Sequence, residues 1–138
     1  MESFTGRIAV VTGGASGMGR EIVRQLAADG CHVAMCDLSV EEMEETRRLA
    51  LADAPDGTII TTHVCDVANE ASMIAFRDAV VEQHRTDHLD LLFNNAGIAG
   101  GGSVITDPRE AWERTFNVCW GGVYFGVRTF IPLSLIHI

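Results

Sequence analysis

A chain of 138 residues with a formal net charge of -9 at neutral pH is one domain at most, and its acidity argues against nucleic acid or an anionic membrane surface as partner. The most apolar late stretch is interrupted by Arg114, Asn117 and Arg128, so no spanning segment is expected, and residues 1–6 lack the basic start and apolar run of a signal peptide, so the expected compartment is cytoplasmic. Four cysteines without a C-x-x-C pair read as reduced, mostly buried small apolar residues, and no metal site is expected.

Four strand patterns alternate with four helix patterns. An apolar run at residues 7–12 leads into Thr-Gly-Gly-Ala-Ser-Gly-Met-Gly at 12–19, then into a helix over 17–29 whose Ile22, Val23, Leu26 and Ala27 share one face. Asp29-Gly30 closes that helix, and a second strand at 32–37 ends on Asp37. A helix over 40–52 follows, then the Pro55-Asp56-Gly57 turn, a strand at 58–64 and a helix over 69–84. Residues 89–94 form the fourth strand. Asp107-Pro108 offers a cap and a first-position proline to a last helix over 108–131. Strict alternation predicts the α/β class, with right-handed crossovers and a doubly wound parallel sheet in the order 3-2-1-4. Its switch point lies between strands 1 and 4, where residues 12–19 and Asn94-Asn95-Ala96-Gly97 both stand.

At such a turn, glycines bring backbone N–H groups close to a diphosphate, which a helix start favours by roughly 0.3 to 1 kcal/mol. Glycines at 13, 17 and 19 give G-x-x-x-G-x-G, which is neither G-x-G-x-x-G nor the phosphate loop. This spacing resembles the cofactor motif of the classical short-chain dehydrogenases/reductases, and Asn94-Asn95-Ala96-Gly97 resembles their second signature in the corresponding element. The resemblance covers residues 7–132 and implies a Rossmann-type fold, truncated after the fourth strand and following helix, that binds NAD. It implies that Thr12, Gly13, Ser16, Gly17, Met18 and Gly19 surround the diphosphate, Asp37 and Leu38 the adenosine ribose, and Asp66 and Val67 the adenine. Asn94, Ala96 and Gly97 would support the sheet and the dinucleotide. Either aspartate could instead cap the helix that follows it. Asp37 would repel a 2'-phosphate and neither Ser16 nor Leu38 is basic, so NAD is expected over NADP. The resemblance places a catalytic asparagine at Asn117, whose carbonyl would hold a relay water. The stripe Trp112, Phe116, Trp120, Val123 and Val127 reads as core or subunit interface, so a homo-oligomer is expected of a full-length protein.

Proton transfer in the family needs a serine, and a tyrosine with lysine four residues later. The sequence contains no lysine, and Tyr124 with Arg128 lies inside the last helix. The chain therefore reads as the front half of an enzyme that interconverts a small-molecule alcohol and a ketone by hydride transfer, itself lacking the catalytic set. The expected organisation is an incomplete dinucleotide-binding domain at 1–132 and a non-native tail at 133–138, since Leu-Ser-Leu-Ile-His-Ile is one translation of a transposon-adapter end used in DNA library preparation. The alternative is a catalytically dead NAD-binding or dimerisation module. A third reading, a nucleotide-sugar epimerase of the extended branch, fits the glycine spacing less well. Lacking a fifth strand, residues 89–93 would form an exposed apolar edge.

Overall fold

The computed structural model describes residues 3–100 and 102–135. The elements run β1 (Ile8–Thr12), α1 (Gly17–Ala28), β2 (His32–Asp37), α2 (Val40–Asp53), β3 (Ile60–Val64), α3 (Glu70–His84), β4 (Leu91–Phe93), α4 (Arg109–Phe116), a π-helical turn (Asn117–Gly121) and α5 (Gly122–Leu135). All pairings are parallel and the order is β3-β2-β1-β4, as the alternation of elements requires. Each face of the sheet carries its own core. Val10, Ala34, Cys36, Met73, Phe76 and Phe130 meet under α3 and α5, while Val11, Val33, Met35, Val23 and Met43 meet under α1 and α2. Successive residues of β1 and β2 feed opposite cores, which is why both strands are nearly continuous apolar runs. Phe130 is fully buried and meets Phe76 edge-on, with ring centroids 5.4 Å apart, so α5 is docked onto α3. β4 pairs with β1 alone among the described residues, and its three residues are half-buried.

Strand and helix ends differ from the sequence reading for local reasons. β4 starts at Leu91 because the Asp90 carboxylate takes the Ile8 N–H at 2.8 Å, with Arg7 3.3 Å away. β3 starts at Ile60, where the preceding Ile59 N–H donates to His32 Nδ1 at 3.0 Å. Asp107 does not cap α4. Its carboxylate accepts from the Ser103 N–H at 2.9 Å, and the helix begins after Pro108.

The last helix departs more. It is interrupted by the π-helical turn, and it continues past Pro132 to Leu135. In an α-helix a residue four places on overshoots the first by about 40°. The wider turn at Asn117–Gly121 takes that drift back, and Trp112, Phe116, Trp120 and Tyr124 stack as one ladder with centroids 5.3, 5.4 and 5.6 Å apart. The ladder faces outward rather than into the core, with Trp120 58% exposed. Leu133 packs against the core and Ser134 Oγ donates to Leu89 O at 3.1 Å, while residues 136–138 of the expected tail lie outside the described residues. Among the described residues no helix is long and apolar enough to cross a membrane, and no group of His, Cys, Asp or Glu could hold a metal ion.

Thr61 links β3 to α3 through two histidines. Its Oγ1 lies 2.8 Å from Nε2 of His84 and 2.8 Å from Nε2 of His63. One hydroxyl proton serves one nitrogen while the oxygen accepts from the other. Burial pulls both imidazoles down from 6.5 to about 4, helped by His84 at His63 and by His32 at His84. With the folded value below the unfolded one, the unfolded chain binds more protons between them, so this stability is full above pH 6.5 and is lost as pH falls towards 4. Urea melts at pH 7 and pH 5 are expected to differ by about 1–2 kcal/mol per histidine, most of it above the carboxylate range. His84→Gln should flatten part of that slope, and equal stability at the two pH values in the unmodified chain would contradict the network.

Candidate functional site

A cleft of about 520 Å³ opens at the carboxyl ends of the strands. Its walls come from the loop after β1 (Gly13, Ser16, Met18, Gly19), the end of β2 (Asp37, Leu38), the residues after β3 (Asp66, Val67), the loop after β4 and one face of the last helix. The first loop begins where the Gly13 and Gly14 N–H groups donate to Cys36 O at 2.9 and 3.1 Å. Gly13 and Gly17 take φ of +69° and +56°, values that a side chain disfavours. A Cβ on Gly13 would stand 2.8 Å from Ala96 Cα, and one on Gly19 would overlap the Gly13 carbonyl oxygen. Above Gly17 nothing lies within 4 Å. No side chain caps α1, and its first turn carries no acid, so the first-turn N–H groups are left to a ligand anion.

Behind the loop, a network centred on the buried Thr46 fixes its shape. Ala15 O accepts from Arg20 Nε at 3.1 Å and from the Thr46 hydroxyl at 3.0 Å, and Arg20 also meets Glu42 at 2.6 Å. Arg20 follows the motif directly, yet its guanidinium is committed to the rear of the loop. On the other side, Thr12 Oγ1 accepts from the N–H groups of Asn95 and Ala96 at 3.1 and 3.0 Å, and Asn95 Nδ2 donates to Thr12 O at 3.1 Å. β1 and the loop after β4 are thus held as one unit.

Asp37 Oδ2 accepts from the Ala15 N–H at 3.1 Å and Oδ1 from the Leu38 N–H at 2.7 Å. Each oxygen keeps a lone pair for a ligand hydroxyl. Neither aspartate caps a helix: Ser39 caps α2 and Asn69 caps α3, while the Asp66 carboxylate accepts from the Ala68 N–H at 3.0 Å.

Gly13, Ser16, Met18, Gly19, Asp37, Leu38, Asp66, Val67, Ala96 and Gly97 come together on the cleft wall. Thr12, Gly17 and Asn94 are not among its lining residues. Thr12 is 2% exposed beneath the wall, and Asn94 turns towards Gly126 with its Oδ1 buried and without a partner. The structure gives the bridging role to Asn95, and strand alternation could have indicated it, because Asn95 shares a face with Phe93 whereas Asn94 shares one with Leu92. Asn117 is exposed and does not line the cleft; Val118 does, and Cys119 Sγ sits 3.4 Å from Ile98 O. Arg114, four residues before Val118, was also missed, and it is the one basic side chain among the described lining residues. The open space over Gly17, the uncapped helix start and the anchored Asp37 carboxylate fit a dinucleotide, with anion, hydroxyl acceptor and apolar wall in turn.

Residues 7–136 match the family described as short chain dehydrogenase. Levodione reductase from Leifsonia aquatica is 34% identical over 135 residues, 94% of this chain and 48% of that protein. Among solved structures, a short chain dehydrogenase/reductase from Burkholderia phymatum in complex with NAD superimposes with a TM-score of 0.88 at 33% identity, over 98% of this chain and 46% of the other. A metagenomic short-chain oxidoreductase in complex with NADP gives 0.85 at 31%, over 96% and 58%. The chain spans about half the length of the curated relatives it matches.

The loop network predicts a dependence on a residue that touches no ligand. Thr46→Val should weaken NADH binding about fivefold, the equivalent of roughly 1 kcal/mol for one hydrogen bond, and Thr46→Ser should restore it. Fluorescence titration of the two variants checks this, and unchanged affinity in Thr46→Val would refute the role given to the network.

Proposed function

The chain belongs to the short chain dehydrogenase family, and from that premise we propose that its cleft takes NAD in preference to NADP, as the cofactor half of an enzyme interconverting an alcohol and a ketone. The NAD(P)-binding region of an oxidoreductase is what the family and the fold have in common here. The observation that carries the preference is Asp37, whose carboxylate is pinned by two backbone N–H groups and cannot swing away from a 2'-phosphate. Ser16 and Leu38 beside it carry no compensating charge, and Arg20 is turned to the rear of the loop.

Bound nicotinamide dinucleotide supplies the hydride of such a reaction. The residues of this chain bind and orient it. The first turn of α1 receives the diphosphate, Asp37 accepts from the ribose hydroxyls, and Asp66 and Val67 flank the adenine. Asn117, exposed and outside the lining of the cleft, is assigned to the relay water through its backbone carbonyl. We assign the proton-transfer residues to the part of such an enzyme that this half does not align with.

NADH should bind at least about tenfold more tightly than NADPH, the ratio that some 1.4 kcal/mol produces. Asp37→Ser should close that gap by weakening NADH and strengthening NADPH, and equal affinities in the unmodified chain would overturn the preference. The exposed aromatic ladder on α4 and α5 is further assigned as a contact between copies of this chain. Trp120→Glu should then lower the sedimenting mass, and an unmodified chain that sediments as a monomer would refute the assignment.

A further inference from the structure

Two thiols stand in the cleft wall where neither diphosphate nor ribose binding uses them. Cys36 precedes Asp37 at the end of β2, and Cys65 is the first residue beyond β3, just before Asp66. Parallel pairing sets Cys36 opposite His63, and Cys65, two residues further on, faces the same side of the sheet. The Cys65 N–H donates to Asp37 O at 3.1 Å, which keeps the two chains together past the last strand pair. Both side chains belong to the core cluster under α3 and α5, and Cys65 Sγ lies 3.4 Å from Met73 Sδ.

Buried thiols are ordinarily inert packing. Cys31 is such a residue: fully buried, away from the cleft, with burial pushing its thiol up to about 12. Cys36 and Cys65 are 0% and 2% exposed to solvent, yet both residues line the cleft. We propose that Cys36 and Cys65 form a peroxide-sensitive dithiol whose oxidation to a disulfide closes the adenine end of the cleft. The surroundings divide the roles. Cys36 and Ser72 beside it hold the Cys65 thiol down, while Cys65 and burial push Cys36 up.

The Cys65 thiolate attacks the O–O bond of a hydroperoxide, giving a sulfenic acid and releasing hydroxide or alkoxide. Cys36 then displaces the sulfenic hydroxyl, which leaves as water with the Cys36 thiol proton, while the hydroxide or alkoxide released in the first step takes a proton from solvent. Two thiols are oxidised by two electrons, and the peroxide is reduced to water and water or alcohol. A disulfide holds its Cβ atoms about 3.8 Å apart. Cys65 lies outside the strand ladder and adjoins Asp66 and Val67, so drawing it towards Cys36 displaces the residues assigned to the adenine.

The effect on cofactor binding rests on the NAD reading above, and the experiment separates the two. The full chain is treated with hydrogen peroxide with and without saturating NADH, then alkylated and mapped by mass spectrometry. A Cys36–Cys65 linked peptide is expected, forming at least about tenfold more slowly with NADH present, and absent in both Cys65→Ser and Cys36→Ser. The oxidised chain should lose at least about tenfold in NADH affinity and recover it with dithiothreitol. Both thiols staying alkylatable after Cys119 has been oxidised would overturn the dithiol, as would a linkage that forms equally fast under NADH in a chain that binds it. Failure of the reduced chain to bind NADH would overturn the cofactor reading instead, with the linked peptide still supporting the dithiol.

Discussion

Helix α1 starts so close to the end of β1 that Gly19 rests against the Gly13 carbonyl and the Asn95 side-chain amide, with no room for a Cβ. That approach fixes the rest of the cleft. It aims the first turn of the helix across the carboxyl edge of the sheet, where its N–H groups and dipole attract an anion. It also requires β1, the glycine loop and the loop after β4 to move as one body. The Thr12 hydroxyl and the Asn95 amide hold one side of that body, and the Thr46-Arg20 pair holds Ala15 from the other.

Charge is arranged with equal economy. The chain carries a net charge of -9, but a diphosphate placed at the start of α1 would need no lysine, because backbone N–H groups and the helix dipole would meet it. The carboxylates at Asp37 and Asp66 stand on the same cleft wall, where they would accept from hydroxyl or amino donors of a nucleoside. Arg114 adds one positive group on the far wall. Cys36 and Cys65 belong to the same wall as the two aspartates.

Much of this was legible in the sequence because it is written in local rules. Alternation of apolar runs with helix patterns gave the strand order, and the glycine spacing gave the loop, since in each case a backbone constraint selects the residue type. Asp37 and Asp66 were legible by their place after a strand. What failed to show was long-range. Asn94 and Asn95 are the same residue type side by side, and only the face of β4 on which each falls separates a buried, unpartnered oxygen from the amide that ties two loops. Arg114 reaches the cleft through helix phase, and the π-helical turn that sets the phase after Phe116 has no simple residue signature. The start of β4 differs from the strand pattern because a side-chain carboxylate, Asp90, stands in for a strand bond.

The most direct test of a dinucleotide cleft built on the α1 start is an amide-resolved NMR titration of the chain with ADP-ribose, which carries the diphosphate, ribose and adenine without the nicotinamide. The account predicts saturable shifts confined to Gly13 through Gly19, Asp37 and Leu38, Asp66 and Val67, and Ala96 and Gly97. Absence of shifts at millimolar ligand, or shifts clustered elsewhere on the surface, would contradict it.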